Sequence, residues 1–586
     1  QLSLVPGHVK FDALPIPFRA VATDLVTGKP VVFSEGELAN VMRASMSVPG
    51  AVAPAEYGGM TLVDGMLTQN LPVDAARAMG ADIVIAVNVG TPLLKREQLT
   101  SIFGVANQML SILTEQNVQA SLASLKPSDI LISPDLGDYS TGDFDNLSKI
   151  TPLGEEAARK VAETLVRLSL PPAEYAALRA RQQQVPAPDL KPVDEIRFAP
   201  LKHVNPEVAQ AVMQTKPGEP LVPSQLDSDM RHLYGTGDFE HVNYRILEEP
   251  GKRVLVVDAV EKAWGPNYLR LGLGLSSDFD GARFNVIAAH RMTWLNSLGA
   301  ELRTDVQLGF NNRLRLEFYQ PFDVRGRYFI APRVDIRQEE LDLYRGGDRV
   351  ATYQIGTRTA GLDLGVQFGP FAELRVGVEG GRVSPKLDTG PAFIGEHDQR
   401  SQQGGIRTLF HVDQLDSASF PRAGWALDFE LFNSLSDLGA VDAYNKWRVS
   451  GGAAYSLGEN TARINLTAGG RIGSDPLPGY DQFQWGGFLR QSGYATGQLV
   501  GSSLQFGQIV YYRRIVRGGL LDGAYGGLSL EVGRYGTPLV PGNTSGTLKS
   551  LLLFVGVDSP VGPVYLGYGH AADGAGSFYF YLGLPL

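Results

Sequence analysis

The chain of 586 residues contains no cysteine, so no disulfide staples it. That absence suits a protein that passes unfolded through an oxidising compartment and must not form stray disulfides on the way. Nor is there a run approaching the ~20 uninterrupted apolar residues that a spanning helix needs. Any membrane role then falls to a closed barrel, because only helices and closed barrels satisfy every backbone group in lipid. Basic charge is not in excess: 52 Lys and Arg face 62 Asp and Glu, a net charge of −10, with no basic stripe. A general nucleic-acid binder is disfavoured, and no nucleic-acid partner is expected. None of His8, His203, His232, His241, His290, His397, His411 and His570 stands at a metal-ligand spacing. Glu339, Glu340 and Asp342 lack the surroundings of an EF-type loop. No metal and no organic cofactor is expected.

What the chain does have is glycine, 68 of them, and 44% hydrophobic residues. The mean hydropathy of −0.06 looks soluble, but barrel strands alternate apolar with polar residues and hide from such an average. The length implies two to four domains. The first residue is Gln1, not Met, and no signal peptide precedes it; maturation and truncation both account for that, and the motifs below favour truncation.

Residues 1 to about 184 read as α/β. Ala81-Asp-Ile-Val-Ile-Ala-Val-Asn-Val89 is a continuous apolar run, as expected of a strand buried on both faces, and Asp129-Ile-Leu-Ile-Ser-Pro134 is a second. Val161, Leu165 and Leu168 recur at helical spacing along 155–168. Three prolines in 185–192 mark a linker. Residues 196 to about 264 predict the order β-α-α-β-β: a strand over 196–204, a helix over 206–214 with Val208 and Val212 on one face, and a helix capped by Ser224 whose apolar face is Leu226, Met230, Leu233 and Tyr234. Two strands follow, over 239–247 and 253–260, with a turn at Pro250-Gly251.

From about Tyr268 the period becomes two. Leu269, Leu271, Leu273 and Leu275 alternate with Arg270, Gly272 and Gly274; Leu314, Leu316 and Phe318 with Arg315 and Glu317; Leu374, Val376 and Val378 with Arg375, Gly377 and Glu379; Leu528, Leu530 and Val532 with Ser529 and Glu531. Sustained to Phe578, Phe580 and Leu582, this predicts an antiparallel transmembrane barrel with a wet lumen and roughly 16 strands. A soluble sandwich or propeller also alternates; the Arg and Glu set opposite clean Leu, Val and Phe faces favour the barrel.

The most informative stretch is Arg43-Ala-Ser-Met-Ser-Val-Pro-Gly50, then Leu62-Val-Asp-Gly65, then Asn70-Leu-Pro72. Alone, Asp-Gly between apolar residues is a hairpin turn. In this order, and beside Phe18-Arg-Ala-Val-Ala-Thr-Asp-Leu-Val-Thr-Gly28 and Ala76-Arg-Ala-Met-Gly-Ala-Asp-Ile-Val-Ile-Ala-Val87, the pieces resemble the second half of the patatin-like phospholipase family over residues 1 to about 170. That family hydrolyses lipid acyl esters with a Ser–Asp dyad, the serine in a G-x-S-x-G turn and the aspartate acting as base. The resemblance makes Asp64 the base, with Gly65 and Asn70 as supporting motif residues. Met66 stands where the family carries Gly or Ala. No G-x-S-x-G occurs in the 586 residues, and neither Ser45 nor Ser47 takes its place in the pattern. The chain alone is therefore expected to be inactive, as a fragment of an active parent.

Residues 196–264 resemble a POTRA domain, the periplasmic module ahead of surface-antigen barrels, on Arg231-His-Leu-Tyr-Gly-Thr-Gly-Asp-Phe239, Val257-Asp-Ala-Val-Glu261 and Lys262-Ala-Trp-Gly-Pro266. Such modules add a strand of extended polypeptide to an open edge; a rigid spacer is the other reading. Phe420-Pro-Arg-Ala-Gly424 resembles a strand motif of the same superfamily. Leu489-Arg-Gln-Ser-Gly-Tyr494 falls where that family carries an Arg-Gly-aromatic loop tip folded into the lumen, so Arg490, Gly493 and Tyr494 are its candidate residues, with the clasp to an acidic wall absent or made by Arg490.

The expected organisation is thus the C-terminal part of a patatin-like domain (1–184), a Pro-rich linker (185–195), a POTRA domain (196–264) and an outer-membrane barrel (265–586). Together these resemble the patatin-like autotransporters of type V secretion, subtype d. The resemblance implies membrane phospholipids as substrate and the Gram-negative outer-membrane bilayer as setting. It puts the POTRA domain in the periplasm and the hydrolase at the cell surface or released. Barrel-assembly machinery and periplasmic chaperones are the partners in biogenesis. The alternative is a translocation or outer-membrane assembly factor with a degenerate passenger.

Overall fold

In the computed structural model, residues 9–50, 52–90, 93, 102–137, 139, 146–183, 190–394, 401–516, 523–559 and 562–583 are described. Of the expected linker over 185–195, residues 185–189 lie outside them. The chain forms two compact units, one of Gln1–Ala199, Gln214–Arg231 and Val242–Asp258, the other of Pro200–Met213, His232–His241 and Ala259–Leu586.

In the first unit, strands β1 (Ala20–Asp24), β2 (Lys29–Phe33), β3 (Ala55–Tyr57) and β4 (Met60–Asp64) form an antiparallel sheet in the order β2-β1-β4-β3. β1 turns into β2 because the Asp24 carboxylate accepts from Val26 N (3.1 Å) and the Thr27 hydroxyl (2.7 Å), closing an Asx turn. Helix α1 (Leu38–Ser45) lays Val41 and Ala44 on the sheet, against Phe11, Ala20, Ala22, Phe33 and Leu62. The Asp64-Gly65 pair makes no hairpin. Gly65 is in the right-handed helical region and passes β4 directly into a short helix, α2 (Met66–Gln69).

The two apolar runs form a parallel pair, Ile85–Val87 with Ile130–Ile132. The first is shorter than expected and is not buried on both faces. Val84 and Ala86 pack on Leu71, Val73 and Val118, whereas Ile85 and Val87 are each 48% exposed. The described residues cover one face only. The helical pattern along 155–168 belongs to two helices, Leu147–Lys160 and Ala162–Val166, broken at Val161, and Leu168 lies beyond both.

The β-α-α-β-β order holds as Glu195–Phe198, Pro206–Ala211, Pro223–Gly235, Phe239–Glu249 and Lys252–Glu261. The last strand is central and runs parallel to the first. Three local expectations fail. Ser224 is not the cap, because the helix opens a residue earlier on Pro223, whose fixed φ suits a first turn. The shorter helix buries Ala209 rather than Val212, which is 39% exposed, because it ends at Ala211. In the longer one, Leu226 and Leu233 are buried, but Tyr234 is 57% exposed.

The second unit holds a closed antiparallel barrel of 16 strands, counted among the described residues. Neighbours in sequence pair as neighbours in space, except that residues 473–503 intervene between Asn460–Ile472 and Leu504–Val516 and carry a separate two-stranded hairpin. The first barrel strand, Asn267–Asp278, meets the last, Gly576–Leu582, only through Leu275–Ser277 against Phe580–Leu582. No described helix is long and apolar enough to cross a membrane; strands do the spanning.

The pleat sorts the chemistry. Leu364, Val376, Val378, Leu530 and Leu553 point outward and are 45–56% exposed, while Asp363, Arg375, Ser529 and Glu531 between or beside them are buried. The wall charges pair across and along strands: Arg333 donates to Asp363 (3.0 Å) and Glu379 (2.6 Å) on the next two strands, and Glu317 accepts from Arg315 on its own strand (2.7 Å) and from Arg375 on another (3.0 Å). A soluble sandwich would bury the leucines and expose the charges. This inside-out arrangement is that of a barrel in lipid around a polar lumen.

Candidate functional site

Asp64 ends β4, where the sheet hands over to α2. Its N–H donates to Ser47 O (2.9 Å), and its carbonyl accepts from the Thr23 hydroxyl (3.1 Å), so the backbone is fixed from two sides. One carboxylate oxygen accepts from Met66 N at 2.9 Å. Burial pushes the carboxyl above its ordinary value, and the Met66 N–H partly offsets this. No cation or hydroxyl is paired with it among the described residues. It lines a cavity of about 350 Å³ whose other walls include Phe18, Val21, Met42, Met46, Met66 and Asn70.

Gly65 is required by close approach: a Cβ there would sit 2.4 Å from Val21 O and 2.9 Å from Val21 C. Met66 departs from the family pattern, but what it gives Asp64 is its backbone N–H, which any residue but proline supplies. Asn70 N donates to Asn117 Oδ1 (2.9 Å), and Asn117 Nδ2 donates to Met66 O (2.8 Å). Asn117, on the helix Ile102–Ala123, thus ties the two ends of α2. Nothing in the local sequence announces it, because the contact joins positions far apart. Ser45 donates to Val21 O (2.6 Å) and Ser47 to Arg43 O (2.8 Å), so both hydroxyl protons are spent on backbone. Arg43 in turn donates to Ser47 Oγ and to Ala53 O.

In the second unit, residues 473–503 fold into the lumen, and their tip is Arg490, Gln491, Ser492, Gly493 and Tyr494. Glu531, a buried wall carboxylate, accepts from Ser492 N (2.5 Å) and Ser492 Oγ (2.9 Å). Of the two expectations, a clasp absent or made by Arg490, the first fits: no arginine pairs with Glu531 among the described residues, and Ser492 holds it. Arg490 lies over the Trp485 ring instead, 5.2 Å from its centroid, and lines a lumen cavity of about 510 Å³. Gly493 donates to Tyr579 OH (2.8 Å), which donates onward to Tyr494 O (2.7 Å), and Tyr494 OH donates to Asp573 (2.5 Å). Gly493 has φ +105°, and a Cβ would meet Ala571 N at 2.7 Å. Gln491 and Asp278, which sequence reading did not single out, complete the tip's anchorage: Gln491 donates to Ser550 (2.8 Å), and Asp278 accepts from Thr496 N (2.9 Å). Phe420, from the other barrel motif, is buried and stacks on Tyr525 at 4.1 Å. Among the described residues no group of three or more His, Cys, Asp or Glu is placed to hold a metal ion.

An α/β unit presenting a half-buried carboxylate, and an inside-out barrel plugged by its own loop, together define a membrane barrel protein bearing a hydrolase-like region. Residues 5–77 match the patatin-like phospholipase family and residues 295–519 the Omp85 superfamily domain, so the chain joins a patatin-like region to an Omp85-type barrel. An uncharacterized NTE family protein of Mycobacterium tuberculosis is 44% identical over 85 residues, 14% of this chain and 24% of that protein. Patatin-like phospholipase domain-containing protein 7 of Mus musculus is 30% identical over 185 residues, 27% of this chain and 14% of that protein. The chain thus spans a quarter or less of these relatives. BamA from Haemophilus ducreyi lacking POTRA domains 1-3 superposes with a TM-score of 0.51 at 13% identity, over 67% of this chain and 84% of that one, a likeness of fold alone. The patatin-like relatives imply a lipid hydrolase family, and the Omp85-like barrel points to the Gram-negative outer membrane.

Proposed function

We propose that the protein is a barrel-anchored lipid acyl hydrolase in which Asp64 is the general base of a Ser–Asp dyad. The observation that carries the reading is the state of Asp64: a carboxylate in a mainly apolar cavity, raised by burial, oriented by one backbone N–H and unpaired with any cation among the described residues. A carboxylate kept for structure is ordinarily spent on an arginine or a helix cap; one left open toward a cavity is poised to take a proton. The substrate class is phospholipid acyl esters, in keeping with relatives named as phospholipases and lysophospholipases. The serine must be presented to Asp64 by a G-x-S-x-G turn, which these 586 residues do not contain, and without it the chain hydrolyses nothing. Residues 196–264 act as a POTRA domain on the periplasmic side. The barrel anchors or exports the hydrolase, and its biogenesis uses barrel-assembly machinery and periplasmic chaperones.

The test is acyl-ester hydrolysis and fluorophosphonate labelling of two proteins: the 586-residue chain, and a version in which a patatin-type G-x-S-x-G segment precedes it. The first should be silent in both assays. The second should be active, and Asp64→Asn should lower its turnover by about 10²–10⁴-fold. Activity that survives Asp64→Asn would remove Asp64 as the base, and silence of the serine-bearing version would favour the other reading, a translocation or assembly factor with a degenerate passenger. That reading draws on the Ser492–Glu531 clasp, which keeps a loop in the lumen as a removable plug.

A further inference from the structure

The outward face of the sixth and seventh barrel strands, Asp348–Gln367 and Ala372–Thr389, passes from large apolar to basic residues over two outward pairs. Outward pairs run Leu364 opposite Val376, Leu362 opposite Val378, Ala360 opposite Gly380, and then Arg358 opposite Arg382. The outward assignment follows from the pleat: Leu362, Leu364, Val376 and Val378 are 41–56% exposed, while Asp363 and Arg375 on the other parity are buried. Arg358 and Arg382 are both exposed. Neither has an ion pair or side-chain hydrogen bond among the described residues. Their flanking partners in the same row are Ile336 and Gln402, so the row holds no carboxylate. Two rows on, Glu340 lies opposite Gln354 and Gln354 opposite Lys386.

Like charges directly opposite on antiparallel strands repel, with Cβ atoms about 5 Å apart. Such a pair costs stability unless an anion bridges it. Its height on the barrel says which anion is at hand. Successive strands run alternately away from and back to the end where the chain enters at Asn267. Arg358, ahead of Leu362 and Leu364 on a returning strand, and Arg382, after Val376 and Val378 on an outgoing one, therefore lie on the far-rim side of the apolar belt, each about midway along its own strand. They lie two outward pairs beyond the last large apolar pair, Leu362 and Val378, with only Ala360 and Gly380 between, where a bilayer passes from acyl chains to headgroups. A second basic pair borders the apolar belt elsewhere on that rim: Lys549 lies opposite Val532, and Arg534 follows opposite Thr547. Both are exposed, and neither has a side-chain partner among the described residues.

We propose that Arg358 and Arg382 form a clamp for the phosphate of an anionic lipid in the leaflet farthest from the chain's entry into the barrel, with Arg534 and Lys549 as a second contact of the same kind. A phosphate monoester or diester offers oxygens to both guanidinium forks at once, which turns the repulsion into charge-assisted hydrogen bonds. The proposal rests on the barrel being membrane-embedded and is independent of the hydrolase reading.

The test uses the full chain in nanodiscs of phosphatidylcholine containing equal fractions of either a bisphosphorylated glycolipid or phosphatidylglycerol, with lipids retained after detergent extraction counted by native mass spectrometry. Wild type should retain phosphate-bearing anionic lipid over phosphatidylcholine by about tenfold or more, and R358Q/R382Q should reduce that preference by about tenfold. Both side chains are exposed and unpartnered, so the variant folds; resistance of the barrel to unfolding in SDS at room temperature checks this. Millimolar inorganic phosphate should not displace the lipid. Displacement by inorganic phosphate would show a free-phosphate site and overturn the lipid assignment. Equal retention by wild type and variant, in barrels that insert, would overturn the clamp alone. Failure to insert at all would overturn the membrane reading and the clamp with it.

Discussion

Burial lifts the Asp64 carboxyl, and only one backbone N–H pulls it back. Two pH effects of opposite sense follow. A base works ionised, so hydrolysis by a serine-bearing form should climb with pH through this raised value; a rate flat from about pH 4 to 8 would count against the role. Stability runs the other way. A carboxyl whose pKa is higher folded than unfolded favours the folded state while protonated, and that contribution is lost as pH rises through the folded value. Asp64→Asn should therefore raise the thermal midpoint of the N-terminal unit at neutral pH while lowering the turnover of the serine-bearing form, an exchange that calorimetry and an ester assay read together. Beside it, Gly65→Ala drives a Cβ into the Val21 carbonyl and should cost about 1–3 kcal/mol in denaturant titration. Asp64 was legible because it sits in a short ordered motif. The Asn117 brace was not, since its two partners come from distant stretches and its helix reads as an ordinary apolar one.

At the scale of elements, the loop over 473–503 is held by hydrogen bonds to a buried wall rather than by its own secondary structure. Removing Glu531 as Glu531→Ala leaves Ser492 N–H and its hydroxyl buried without their acceptor, a loss of about 1–3 kcal/mol. Single-channel recordings should then show more frequent or larger openings than wild type; Glu531→Gln, which keeps an acceptor, should fall between. An unchanged trace for Glu531→Ala would mean the tip is held without it. The sequence pointed to this loop and to Gly493 and Tyr494, and left the arginine clasp either absent or made by Arg490; it gave no sign of Ser492. The acceptor lies on another strand, and the donor is a serine with its own backbone amide, which no charge pattern reveals. Elsewhere, element type was readable and ends were not: the break at Val161 falls within an unbroken helical pattern, and the helix over Pro223–Gly235 opened on proline before the serine that looked like its cap.

For the whole molecule, the period-two alternation carried nearly everything: barrel class, antiparallel order and strand number. Alternation alone does not separate a barrel from a soluble sandwich; the charges set opposite clean apolar faces pointed to a polar lumen, and the pairing of Arg333 with Asp363 and Arg375 with Glu317 on the inner wall agrees with it. The two faces should answer the same substitution differently. Leu364→Arg, in the outward belt, should destabilise the folded barrel by about 2–4 kcal/mol in liposomes, whereas Thr359→Arg, facing the lumen, should cost much less; equal costs would contradict the assignment of faces. The seam of the barrel has a kinetic consequence. Closure joins Leu275 to Leu582, near the two ends of the barrel segment, so the ring cannot be sealed until its final strand has been synthesised. Every earlier pairing is local, and this one alone bears the loop-closure entropy of the whole segment. The chain should therefore linger as an open, ribbon-like sheet with both edges exposed. Nicking or deleting the last strand should stall it there, as a species bound by chaperones rather than as a smaller barrel.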